Sequence, residues 1–87
     1  MPETRQQIKD LIFHTSKVCR INQDVIWKKC YDNFEKATFV TLRNNKLDII
    51  ELHNKMQMFF RIVKDVCMGF EINYRQTNYD YRKKFSK

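Results

Sequence analysis

Between Leu47 and Met68 the chain carries neither glycine nor proline, and its apolar residues fall at Ile49, Leu52, Met56, Phe59, Val63, Val66 and Phe70. These positions are spaced alternately three and four apart, the pattern of a helix that buries a seam against other helices. From Leu47 to Met68 such a helix would run about 33 Å. Asn45 is placed to cap it, Asp48 and Glu51 fall in its first turns, and Gly69 reads as its C-terminal stop. The seam has two readings. In one it packs on helices of the same chain, and Phe60 and Ile62, which widen the stripe, favour this. In the other it also joins two copies as a homodimer.

Two further helices precede it. The first is expected from about Glu3 to Val18, with Pro2 in its first turn, where a missing N–H costs nothing. Ile8, Leu11, Ile12, Thr15, Val18 and Cys19 share one of its faces. After a short link at Arg20-Ile21-Asn22, Asn22 reads as the N-cap of the second helix, with Asp24 in its first turn. Trp27, Cys30, Tyr31 and Phe34 form its apolar stripe, flanked by Ile26 and Ala37. Trp27, Phe34, Phe59 and Val63 are the expected core. Thr38 to Leu42 is rich in β-branched and aromatic residues and suits an extended connector or short strand. Beyond Gly69 the pattern is ambiguous. Phe70, Ile72 and Tyr74 alternate as an edge strand would, while Phe70, Tyr74, Thr77, Tyr81 and Phe85 fit a helical stripe. An irregular or short helical tail packed through its aromatics is the favoured reading, with β pairing to residues 38–43 as the alternative. The expected fold is all-α: one domain over residues 1–87, a small bundle of three helices, or four, with a short extended connector and a basic aromatic segment at 70–87.

A single glycine and a single proline in 87 residues encode few turns, which agrees with a few long helices. The net charge is +7, of which the first 45 residues carry +3 and the rest +4. A small chain with this excess is drawn to nucleic acid, to anionic membrane or to an acidic protein surface. Cys19, Cys30 and Cys67 are odd in number and share no short spacing, so a disulfide framework would leave a thiol over. As zinc ligands they would need His14 or His53 from a scattered position, whereas structural zinc uses close cysteine pairs. Buried small hydrophobes are the expected role of these thiols. No signal peptide, glycosylation acceptor or bilayer-length apolar run is present, which sets the expectation of a cytoplasmic protein with no membrane partner, no cofactor and no metal.

Chemistry-bearing residues are sparse. Ser16 and Ser86 are the only serines, and neither stands in a nucleophile motif. No nucleophile–base pair or phosphate loop can be assembled, so an enzyme is not expected. The run from Asn73 to Phe85 is richer: it mixes Arg75, Tyr79, Tyr81, Arg82, Lys83 and Lys84 with the amides Asn73, Gln76 and Asn78. Lysine and arginine neutralise phosphates, tyrosine rings stack on bases, and amides meet base edges. The same residue types also anchor protein interfaces. The first two helices and their tight turn make a helix-turn-helix shape whose exposed face would add Gln23, Lys28, Lys29, Asp32 and Lys36.

Residues 5–34 read Arg-Gln-Gln-Ile, Leu-Ile, Ser-Lys, then Asn-Gln-Asp-Val-Ile-Trp-Lys-Lys-Cys-Tyr-Asp-Asn-Phe. This stretch resembles the small helical C-terminal module of phage antirepressor and Bro-type regulators. There a helix leads through a short polar turn to an aromatic-x-x-x-Tyr helix and then to a connector and another helix. The resemblance implies a phage or mobile-element regulatory protein and assigns no residue a role. The expected function is therefore a small basic regulatory protein that binds DNA or RNA through Lys28, Lys29, Arg75, Tyr79, Tyr81, Arg82, Lys83 and Lys84. The alternative is an inhibitor or adaptor that docks on an acidic protein.

Overall fold

The computed structural model describes the backbone of residues 2–38 and 55–85, with side chains over 4–38 and 55–79. These residues form three helices: α1 over Pro2–Cys19, α2 over Gln23–Thr38 and α3 over Met56–Phe85. No strand occurs among them. Among the described residues the fold is an all-α three-helix bundle. Thr38, expected to open the connector, is instead the last residue of α2. The rest of that connector, the loop at Asn44-Asn45 and residues 47–54 lie outside the described residues. Lys55 is a turn and α3 begins at Met56, so the expected unbroken helix from Leu47 to Met68 is interrupted there.

The link between α1 and α2 is built from local hydrogen bonds. Arg20 takes a left-handed backbone conformation with φ 56°. The Ile21 N–H then reaches back to the Ser16 carbonyl at 3.1 Å, and the Ser16 hydroxyl donates to the Ile21 carbonyl at 2.6 Å. This wrap satisfies the Ser16 carbonyl, which the end of α1 leaves orphaned, and ties the link back to the helix. Glycine usually fills such a position. Arginine there costs on the order of 1 kcal/mol. Asn22 caps α2 as its sequence position implies: its side-chain oxygen accepts the Asp24 N–H at 2.8 Å, and its carbonyl accepts the Val25 N–H at 3.1 Å.

The core forms where the three apolar stripes meet. Ile8 and Ile12 from α1, Ile26, Cys30 and Phe34 from α2, and Met56, Phe59, Val63, Val66 and Cys67 from α3 make one buried cluster. Phe59 is its centre. The Phe34 ring meets it edge-on at 5.5 Å between centroids, while Tyr31 and Trp27 lie more nearly parallel to it at 5.9 and 6.4 Å. Such pairs add about 0.5–1.5 kcal/mol each beyond the area they bury. The described part of the α3 seam is thus an intrachain core. On α2 the stripe centres one residue earlier than expected. Ile26 is fully buried, whereas Trp27 is half-buried and covers the aromatic cluster from the side. On α1, Val18 is exposed because it lies at the edge of its face, and Thr15 is fully buried.

The expected end of α3 is overturned. Gly69 does not end the third helix, which continues through it to Phe85. The reading of 70–74 as an edge strand fails with it. A glycine inside a helix costs only about 1 kcal/mol relative to alanine. The packing register runs on through Gly69 to Phe70, which lies against the core, and this contact holds the next turn in place. Helical continuation also seats Glu71 beside α1, where its carboxylate lies 3.9 Å from His14 Nε2. Cys67 Sγ stands 4.0 Å from the Leu11 carbonyl one turn earlier, so α1 and α3 run side by side in the same direction.

Candidate functional site

At about 1.5 Å per residue, the 30 residues of α3 span roughly 45 Å, against roughly 27 Å for α1 and 24 Å for α2. A helix that long outruns its neighbours. Among the described side chains of α3, Tyr74 is the last that is even partly covered: Arg75, Gln76, Thr77, Asn78 and Tyr79 are all exposed, and Tyr79 keeps 63% of its surface in solvent, so the expected packing of the tail through its aromatics fails at Tyr79. Five consecutive exposed residues on a helix face every direction, so no neighbour packs on this stretch. Arg75 and Tyr79 stand one turn apart on the same side. Tyr81, Arg82, Lys83 and Lys84 belong to the last turns of α3 by backbone, and their side chains lie outside the described residues.

Lys28 and Lys29 lie elsewhere, on α2, and neighbouring positions on a helix point about 100° apart. Lys28 Nζ sits 3.9 Å from Asp32 one turn on, an exposed pair of small energetic weight. It borders a shallow depression shared with Asp24, Trp27 and Tyr31. Lys29 instead lines an open groove of about 400 Å³ between α2 and α3, with Asn33, Asp65, Val66, Gly69, Phe70 and Asn73. The fold therefore unites Arg75 with Tyr79, carries Lys29 to the rim beside Asn73, and leaves Lys28 on another face. The groove itself was not legible in the sequence. It exists where a helix crossing meets the missing side chain of Gly69, whose Cβ would touch nothing within 4 Å.

The titratable groups offer little reactive chemistry. All three cysteines are free thiols and buried, as expected of small core hydrophobes. Burial, with the neighbouring Cys67 adding to it, pushes the Cys30 thiol up to about 12. Burial also raises Cys67, outweighing the opposing effect of the Thr15 hydroxyl beside it, and raises Cys19. Such thiols stay protonated and unreactive near neutrality. The Thr15 hydroxyl is buried without a hydrogen-bond partner of its own. No cluster of three or more His, Cys, Asp or Glu able to hold a metal occurs among the described residues. No helix among them is long and apolar enough to cross a membrane. No family model, curated protein or solved structure matches the chain.

Proposed function

We propose that this chain is a small non-enzymatic regulatory protein that binds nucleic acid, with the end of α3 as its main contact surface. One observation carries the reading: α3 extends past its packing partners while its sequence turns basic and aromatic, from Arg75 and Tyr79 to Tyr81, Arg82, Lys83 and Lys84. A rod of this kind meets a polyanion without unfolding or rearranging the bundle. Its cations neutralise phosphates, and its tyrosines offer faces on which bases stack. Lys28 and Lys29 add positive charge from α2. The regulatory and phage or mobile-element part of the reading rests on the resemblance of residues 5–34 alone. The overall charge of +7 supports the electrostatic part.

The test is titration with single- and double-stranded DNA and RNA across a range of salt. Affinity should fall steeply with salt, and replacing Arg82, Lys83 and Lys84 together should flatten the slope by roughly two to three phosphate contacts. Replacing Tyr79 or Tyr81 with Ala should cost about 1–3 kcal/mol for each stacked base at nearly unchanged slope. Affinity no tighter than millimolar for all four nucleic acids at low salt would discard the reading in favour of docking on an acidic protein.

A further inference from the structure

The side of α3 turned away from the core carries its own pattern. Arg61, Asp65, Met68, Ile72, Arg75 and Tyr79 follow one another at alternating intervals of four and three, and all six are exposed. Met68 and Ile72 leave 58% and 56% of their surface in water. Together these two side chains make a small apolar patch, and the charges around it select a partner surface. Arg61, Asp65 and Arg75 make no ion pair among the described residues. The order of the stripe is self-complementary under reversal. When a second α3 is laid antiparallel, with a two-fold axis level with residue 70, Met68 meets the second copy's Ile72 and Asp65 meets its Arg75. Arg61 then meets the ring of its Tyr79. Each contact occurs twice, as an isologous interface requires. No neighbouring register does this, because a shift by one turn sets Arg75 or Arg61 against another cation.

We infer that this face of α3 is the interface of an antiparallel homodimer, in which Met68 and Ile72 form the apolar centre, flanked by paired Asp65–Arg75 contacts. It is separate from the core seam, which the monomer itself buries. Arg75 and Tyr79 also belong to the proposed nucleic-acid surface, so occupancy by a second copy and by nucleic acid compete at those two residues.

Sedimentation equilibrium of the whole chain without nucleic acid tests the inference independently of the proposed function. The wild type should show a monomer–dimer equilibrium at concentrations up to about 1 mM, the weak end of protein association. Asp65→Arg or Arg75→Asp alone should weaken it about tenfold, since each change places two like-charged pairs in the interface. The double variant with both changes should return to within about threefold of wild type, because the pair is restored with its polarity reversed. All these residues are exposed, so circular dichroism should show each variant folded. A strictly monomeric wild type overturns the inference. So does a dimer indifferent to the single changes, or a double variant no better than its parents.

Discussion

The two ends of α3 are one continuous helix with similar residues and opposite fates. From Met56 to Phe70 its aromatic and branched side chains are buried or half-buried, with Phe59 ringed by Trp27, Tyr31 and Phe34. From Arg75 to Tyr79 every side chain is exposed. Periodicity alone does not separate them, since Phe70, Tyr74 and Thr77 continue the spacing of Phe59, Val63 and Val66. What separates them is reach. α1 and α2 are too short to accompany the whole of α3, so the same stripe is core where it has neighbours and surface where it has none.

The largest test of this contrast is a pair of truncations. Phe59→Ala should destabilise the protein by about 4 kcal/mol, the cost of lost burial plus the cavity left behind. Tyr79→Ala should move the melting transition very little, because no packing is lost. Comparable losses from both variants in a denaturant titration would mean that the end of α3 is packed after all.

Alkaline titration sharpens the same contrast through the thiols. In the unfolded chain a cysteine loses its proton near 9.0, whereas folded Cys30 holds it to about 12. A pKa raised by folding gives stability that is complete below the unfolded value and is lost as pH rises through the folded one. Tyr31, Cys67 and Cys19 are raised too, each chiefly by burial, and act in the same direction. Stability should therefore fall progressively from about pH 9 to 12. Cys30→Ala should flatten that decline, whatever its cost at neutral pH. Equal slopes for variant and wild type would show that Cys30 is wet.

The smallest effect belongs to the boundary between the two ends. Gly69→Ala should stabilise the protein by about 1 kcal/mol, since the added methyl meets nothing and helix propensity improves. A melting temperature raised by several degrees would confirm an open site. A fall would show the groove wall closer than it stands here.

The helices of the bundle were largely legible in the sequence. The α2 cap at Asn22, the α1 face and the α3 seam all follow from spacing and capping chemistry. The end of α3 was misread because glycine is both a helix stop and a tolerable interior residue, and local sequence does not say which applies. Contact with neighbours decides, through Phe70 against the core and Glu71 beside His14. The exposed stripe at Met68 and Ile72 was invisible for a related reason. Its residues read as ordinary members of a long helix until the direction of the core was known. The separation of Lys28 from Lys29 likewise depends on how α2 crosses α3, which no local pattern encodes.

The last stretch of α3, from Arg75 to Phe85 and exposed as far as Tyr79, has a thermodynamic consequence of its own. Eleven residues are fewer than the roughly 12–15 at which an isolated helix becomes even marginal in water. Its order is lent by the packed turns before it, through propagation rather than nucleation. Amide protons here should exchange with solvent far faster than those around Phe59, by fraying that leaves the bundle intact. Any ligand that holds this stretch helical must then supply the free energy of its coil-to-helix equilibrium. Affinity becomes a property of helix propensity as well as of contact. Substitutions at Thr77 that change helix propensity tune it too, and the end of the longest described helix acts as an adjustable grip.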